Sequence, residues 1–104
     1  MEQIDENFFF DTYALLEITK ENKNYAKYTK NIGIITTKLN LMELHYIILR
    51  ELGKEEAEIY YSRFLPFIVE ISDDAIKKAN EFKLTNKKRD LSYVDCLGYV
   101  IAKK

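Results

Sequence analysis

Short apolar runs alternate along this chain with longer stretches in which apolar residues recur every three or four positions, the pattern of strands followed by helices. Phe8, Phe9 and Phe10 form an unbroken apolar run that stops at Asp11, which suits a strand buried on both faces of a parallel sheet. From Thr12 to about Thr19 the period turns helical, carried by Leu15, Leu16 and Ile18. A polar stretch with Asn22 and Asn24 leads into further helix-like sequence to about Lys30. Ile32 to Thr37, with Ile34 and Ile35 after Gly33, predicts a second strand, and Leu39 to Leu52 predicts a long helix directly after it.

Gly53 is placed to stop that helix, because glycine tolerates the backbone turn at a helix end. Lys54 to Phe64 resumes helically with Ala57, Tyr60, Tyr61 and Phe64 on one face, and Pro66 prevents continuation. Phe67 to Ile71 predicts a third strand. Ser72, Asp73 and Asp74 then open a helix with Ala75, Ala79 and Phe82 on one stripe. After the polar stretch Thr85 to Asp90, a last helix from about Ser92 turns Val94, Leu97 and Ile101 inward, and Gly98 permits close packing. The alternation predicts an α/β fold in one domain, 1–104, with a mainly parallel sheet flanked by helices and right-handed crossovers.

Composition removes several classes. With 47% hydrophobic and 32% charged residues the chain is far from the profile of a disordered segment. A net charge of −1 leaves no global field for a nucleic acid or a membrane, so any basic binding surface is local. One cysteine, Cys96, excludes an intramolecular disulfide and a Cys-rich zinc site, which fits a cytoplasmic location. The polar, acidic start from Met1 to Asn7 is no signal peptide, and no run approaches the roughly 18 apolar residues of a membrane span.

In an open α/β sheet, ligands bind beyond the carboxyl ends of the strands. Asp11 ends strand one, Glu43 lies early in the helix after strand two, and Asp95 lies early in the last helix, so all three acids are placed toward one sheet edge. Clustered carboxylates repel unless a cation intervenes, and hard divalent ions such as Mg2+ and Mn2+ take oxygen ligands. Each acid also has a purely structural reading. Asp11 suits an N-cap, Glu43 stands three residues after Asn40, and Asp95 stands three after Ser92, both in capping-box spacing.

The other candidates are weaker. Lys87, Lys88 and Arg89 are placed to hold RNA phosphates or to form a solvated loop. His45 is two residues from Glu43, a helical spacing that points it away, so it reads as exposed or partner-contacting. Cys96 has no base beside it and reads as a packing residue. The tyrosines and phenylalanines fall mostly at core spacing, and none is assigned to base stacking.

Three segments resemble, in order, the PIN-domain ribonuclease family that includes VapC-like toxins. The run Phe8-Phe9-Phe10-Asp11-Thr12-Tyr13-Ala14-Leu15-Leu16 is similar to the family's opening strand, first metal-binding Asp and following hydroxyl residue. Thr36-Thr37-Lys38-Leu39-Asn40-Leu41-Met42-Glu43-Leu44 is similar to its second strand, turn and Glu-bearing helix. Leu91 to Ala102 is similar to the segment supplying the third acid, matched by Asp95 rather than Asp90.

The resemblance implies a three-layer PIN-like sandwich and a Mg2+- or Mn2+-dependent endoribonuclease. It assigns Asp11, Glu43 and Asp95 as catalytic metal ligands and Thr12 as a supporting residue, with RNA as substrate and an antitoxin as partner. The family continues beyond the last helix into a strand with a Thr-Gly-Asp-like segment, whereas this chain stops at Lys104. A C-terminally truncated fold is therefore expected, with weakened activity and an open edge beside Phe8 to Phe10 covered by a homodimer or an added strand. Two other readings stay open. One is a non-catalytic PIN-like binding module or remnant whose acids persist as caps. The other is a receiver-like domain, for which the paired acids after strand one and the downstream Lys context are lacking.

Overall fold

Strand β1 (Glu6–Phe9) and strand β2 (Ile32–Ile35) pair in parallel, with Asn7 opposite Gly33, Phe8 opposite Ile34 and Phe9 opposite Ile35. Phe10 extends the ladder by donating its N–H to the Ile35 carbonyl at 2.8 Å. The computed structural model describes residues 6–20 and 32–103, in two compact units that meet at Val69 and Glu70 in the sequence. The helix-like stretch expected to about Lys30 lies outside the described residues.

In the first unit, helix α1 (Thr12–Thr19) follows β1 after a single linking pair of residues, and helix α2 (Lys38–Leu52) follows β2 in the same way. Both predicted helices form at nearly their expected bounds, because each begins at a side-chain cap. Asp11 accepts the Ala14 N–H, and Thr37 accepts the Asn40 N–H. Helix α3 (Lys54–Phe64) folds back on α2. Gly53 makes that reversal at φ 96° and ψ 175°, a backbone region nearly closed to residues with a Cβ.

The core of this unit joins Phe10, Leu15, Leu41, Leu44, Ile48, Ala57 and Phe64, so one face each of α1, α2 and α3 is buried together with the end of β1. Tyr60 on α3 also donates its hydroxyl to the Thr19 carbonyl at the end of α1. The apolar run of β1 is not buried throughout, as its sequence predicts. Phe10 is 5% exposed, but Phe8, one pleat period earlier on the same face, is 44% exposed. The core gathers at the carboxyl end of the strands, and Phe8 lies short of it.

The third strand is the element that the structure replaces. Leu65–Phe67 forms a 3-10 turn with Pro66 in its first positions, and only Ile68 pairs with the sheet, through an isolated parallel bridge to Thr36. Thr36 donates to the Phe67 carbonyl and accepts from the Val69 N–H. The Ile68 N–H turns back to the Leu65 carbonyl, and Ser72 already caps the next helix, so little chain remains for a ladder.

The second unit consists of helix α4 (Asp73–Thr85), a 3-10 turn at Lys87–Arg89 and helix α5 (Tyr93–Ala102). Ser72 and Ser92 cap the two helices, Ala75 and Ala79 are buried as the stripe predicts, and Cys96, Leu97 and Gly98 are buried on α5. Phe82 and Tyr99 stack with ring centroids 4.1 Å apart and join the two helices. Asp90 closes the intervening turn in the left-handed region, which aspartate tolerates better than most residues.

Open space surrounds the position that a Cβ at Gly53 would occupy, so a substitution there is opposed by backbone conformation alone. Gly53→Ala is expected to lower stability by about 1–3 kcal/mol, read from urea unfolding. A loss no larger than that of an exposed helix substitution would show that the α2–α3 reversal relaxes freely.

Candidate active site

The carboxyl ends of β1 and β2 are tied at one level by a side chain as well as by the ladder. Thr36 is fully buried and donates its hydroxyl to the Phe10 carbonyl at 2.8 Å. The N-termini of α1 and α2 therefore leave the sheet side by side, and each brings the positive end of its helix dipole to this edge.

Four polar residues of these two helix starts form a continuous hydrogen-bonded chain. The Thr37 hydroxyl donates to the Asn40 side-chain carbonyl at 2.6 Å. The Asn40 amide donates to the Thr12 hydroxyl at 3.1 Å, and Thr12 donates to Glu43 Oε1 at 2.6 Å. Thr37, Asn40 and Thr12 are buried, while Glu43 is half-buried at the end of the chain. A hydroxyl carries a single proton, so once Thr12 accepts from Asn40 its own proton is directed at the carboxylate. Glu43 is held by a donor whose orientation two further residues determine.

This geometry separates the two readings of each acid. Asn40 does not cap: α2 begins two residues earlier, at Lys38, with Thr37 as its cap and Asn40 inside the first turn. Glu43 is thus too far into the helix for a capping box, and its fixed position has no capping explanation. Asp11 does cap, accepting the Ala14 N–H on Oδ1 at 2.9 Å, but it remains exposed and that bond uses one carboxylate oxygen. Asp95 lies in the first turn of α5, where its N–H donates to the Ser92 hydroxyl at 3.0 Å, and its side chain is exposed.

The first unit holds Thr12 against Glu43, with Asp11 next to Thr12 along the chain, and Asp95 belongs to the second unit. Among the described residues no group of three or more His, Cys, Asp and Glu side chains stands together as a ready metal site. The oxygen-only donors at the Asp11 and Glu43 edge fit a hard divalent cation in their chemistry. Thr37 and Asn40 are the site residues that sequence reasoning missed. Their signal is the Thr-x-x-Asn spacing at the start of an apolar-periodic run, which the Asn40-to-Glu43 interval masks by mimicking a capping box.

The remaining candidates are also placed. His45 is half-buried between α2 and α3, edge-on to Tyr61 at 5.8 Å and 3.5 Å from Glu58, so its partner belongs to the same chain. Cys96 is fully buried and free, a packing residue. Lys87, Lys88 and Arg89 are exposed on the 3-10 turn of the second unit.

Strand ends joined to acid-bearing helix starts invite comparison with known proteins. The family model for the PIN domain matches residues 8–104. The chain belongs to the PIN domain family. Among solved structures, this PIN chain is similar to VapC20 of Mycobacterium tuberculosis, a sarcin–ricin loop cleaving toxin. The identity is 19%, the TM-score is 0.73, and the match covers 92% of this chain and 81% of that one. At that identity the likeness is one of fold. No curated protein matches the chain.

The buried hydrogen-bonded chain is open to direct measurement. Thr12→Val keeps the shape of the side chain but leaves the Asn40 amide without its acceptor, so stability should fall by about 1–3 kcal/mol in urea unfolding. Thr12→Ser, which keeps the hydroxyl, should retain most of the wild-type stability. Equal stability of the valine and serine variants would mean that the hydroxyl contributes nothing to the native state.

Proposed function

We propose that this PIN domain is a Mg2+- or Mn2+-dependent endoribonuclease, the toxin of a toxin–antitoxin pair, acting in the cytoplasm on RNA and restrained by a protein antitoxin. The observation that carries this is the Glu43 carboxylate, held by Thr12 at the end of a buried chain and at a position with no capping role. An acid positioned by that much buried structure, beside a second acid at a strand end, is arranged for a ligand. Family membership directs the chemistry toward RNA, and the fold neighbour is itself an RNA-cleaving toxin.

In this reading Asp11, Glu43 and Asp95 are the acids that would hold the metal. A divalent cation bound there supplies positive charge against phosphoryl oxygens and makes water a better nucleophile at neutral pH. The residues of the chain do the positioning. Thr12 fixes the rotamer of Glu43 and occupies Oε1, which leaves Oε2 as the ligand oxygen. Asn40 and Thr37 keep the Thr12 proton aimed. Asp11 anchors the start of α1 with Oδ1, and Oδ2 takes no part in that bond. The overall reaction adds water across a P–O bond, so the attacking oxygen joins phosphorus and the departing ribose oxygen leaves with a proton.

Among the described residues β1 pairs with β2 alone, which supports a second copy adding at the other edge of β1. Light scattering should then report a dimer, and a monomer across the working concentration range would remove that part of the proposal.

Cleavage of a structured RNA in Mn2+, with and without chelator, tests the activity. Asp11→Asn and Glu43→Gln should each lose about 100-fold or more, and Thr12→Val, which keeps every carboxylate, about 10–100-fold. Metal-dependent cleavage that survives Asp11→Asn would reject the site. Folded protein that binds RNA without cutting it would leave a binding module instead.

A further inference from the structure

Where α4 runs into the 3-10 turn and α5 begins, a cavity of about 280 Å3 is lined by Asn80, Lys83, Leu84, Lys87, Leu91 and Tyr93. All six belong to the second unit, and none is among the acids assigned above. The volume lies just below the range usual for a small-molecule site, so only part of a ligand would be enclosed.

The lining combines apolar and cationic groups. Tyr93 is 64% exposed and Leu84 72% exposed, so a ring and an alkyl group face water beside each other. The Lys83 ammonium donates to the Leu91 carbonyl and lies 4.9 Å from the Tyr93 ring centroid. One cation thus fixes both the loop backbone and the ring, a cation–π arrangement that holds the aromatic plane in position. Asn80 adds an amide that can both donate and accept at a base edge.

Charge is concentrated at the same place. In a chain of net charge −1, four of its 16 Lys and Arg residues are Lys83, Lys87, Lys88 and Arg89. The last three are exposed on the turn that borders the cavity. A ligand complementary to a fixed ring, an amide and adjacent cations presents a flat π-face, polar ring edges and negative charge one backbone step away. Single-stranded nucleic acid has that combination. An acidic peptide helix matches the charge but not the flat face.

We propose that this cavity is a nucleotide subsite for single-stranded RNA, in which Tyr93 stacks a base and Lys87, Lys88 and Arg89 take the flanking phosphates. Lys83 is a positioning residue that holds the ring. The choice of RNA over DNA rests on the ribonuclease reading, and the subsite itself does not.

Fluorescence anisotropy of the full chain with a labelled oligouridine of about eight nucleotides, in chelator so that no cleavage occurs, tests this. Tyr93→Ala should weaken binding about tenfold, while Tyr93→Phe binds as the wild type. Lys87→Ala should reduce the slope of log affinity against log salt by about 0.7–1. Thermal melting of each variant checks the fold, and the Phe variant preserves the ring if Ala unsettles it. The subsite is overturned if Tyr93→Leu binds as tightly as Tyr93→Phe. It is equally overturned if Tyr93→Ala spares RNA but abolishes binding of an acidic helical peptide. Failure of the two proposals is distinguishable. Tyr93-dependent binding by a chain that never cleaves supports the subsite against the nuclease, and Asp11-dependent cleavage with RNA binding indifferent to Tyr93→Ala does the reverse.

Discussion

The hydroxyl of Thr12 lies buried between the Asn40 amide and the Glu43 carboxylate, and it has one proton to distribute. Because Asn40 is already donating, that proton goes to Glu43. The Asn40 amide presents its NH2 to Thr12 because its carbonyl faces the Thr37 hydroxyl. The whole chain has one self-consistent direction of donation, and reversing a member would leave two donors or two acceptors facing each other in a buried place. Among the described residues no buried side-chain polar atom is left without a partner.

Such a network holds only if the starts of α1 and α2 are brought to the same level within a fraction of an ångström. Apolar and backbone forces do that. The parallel register of β1 on β2, the Phe10 to Ile35 bond and the Thr36 to Phe10 bond align the strand ends. Leu15, Leu41, Leu44 and Ile48 then press the two helices onto a common core with Phe10. The hydrophobic effect supplies the non-directional part of the energy, and the polar chain selects one arrangement from those that burial alone would allow. The acids at the lip lie on the solvent side of this scaffold.

The two units differ in the chemistry they offer. The first presents carboxylates oriented by buried neutral donors. The second carries Asp95 together with an exposed ring and a concentration of cations on a turn shaped by Asn86, Lys87 and Asp90.

Much of this was determined by the sequence alone, because its causes are local. The helices at Thr12, Lys38, Asp73 and Tyr93 follow from apolar periodicity and from side-chain caps within three residues, and the helix at Lys54 follows from periodicity after Gly53, which marks the reversal. The order of the acid-bearing segments was enough to indicate the family. Tertiary structure alone decided which groups meet. Thr12 and Glu43 are 31 residues apart, and nothing in either neighbourhood tells a capping acid from one held by a distant hydroxyl. The role of Asn40 changed for the same reason, since its spacing to Glu43 resembled a cap until Thr37 was found to hold that place. Strand three was lost because pairing depends on a partner's position as well as on β propensity, and Pro66 and Ser72 leave one residue able to reach Thr36. Periodicity records how a segment buries its own face, and hydrogen-bond partners across the fold are settled only when those faces come together.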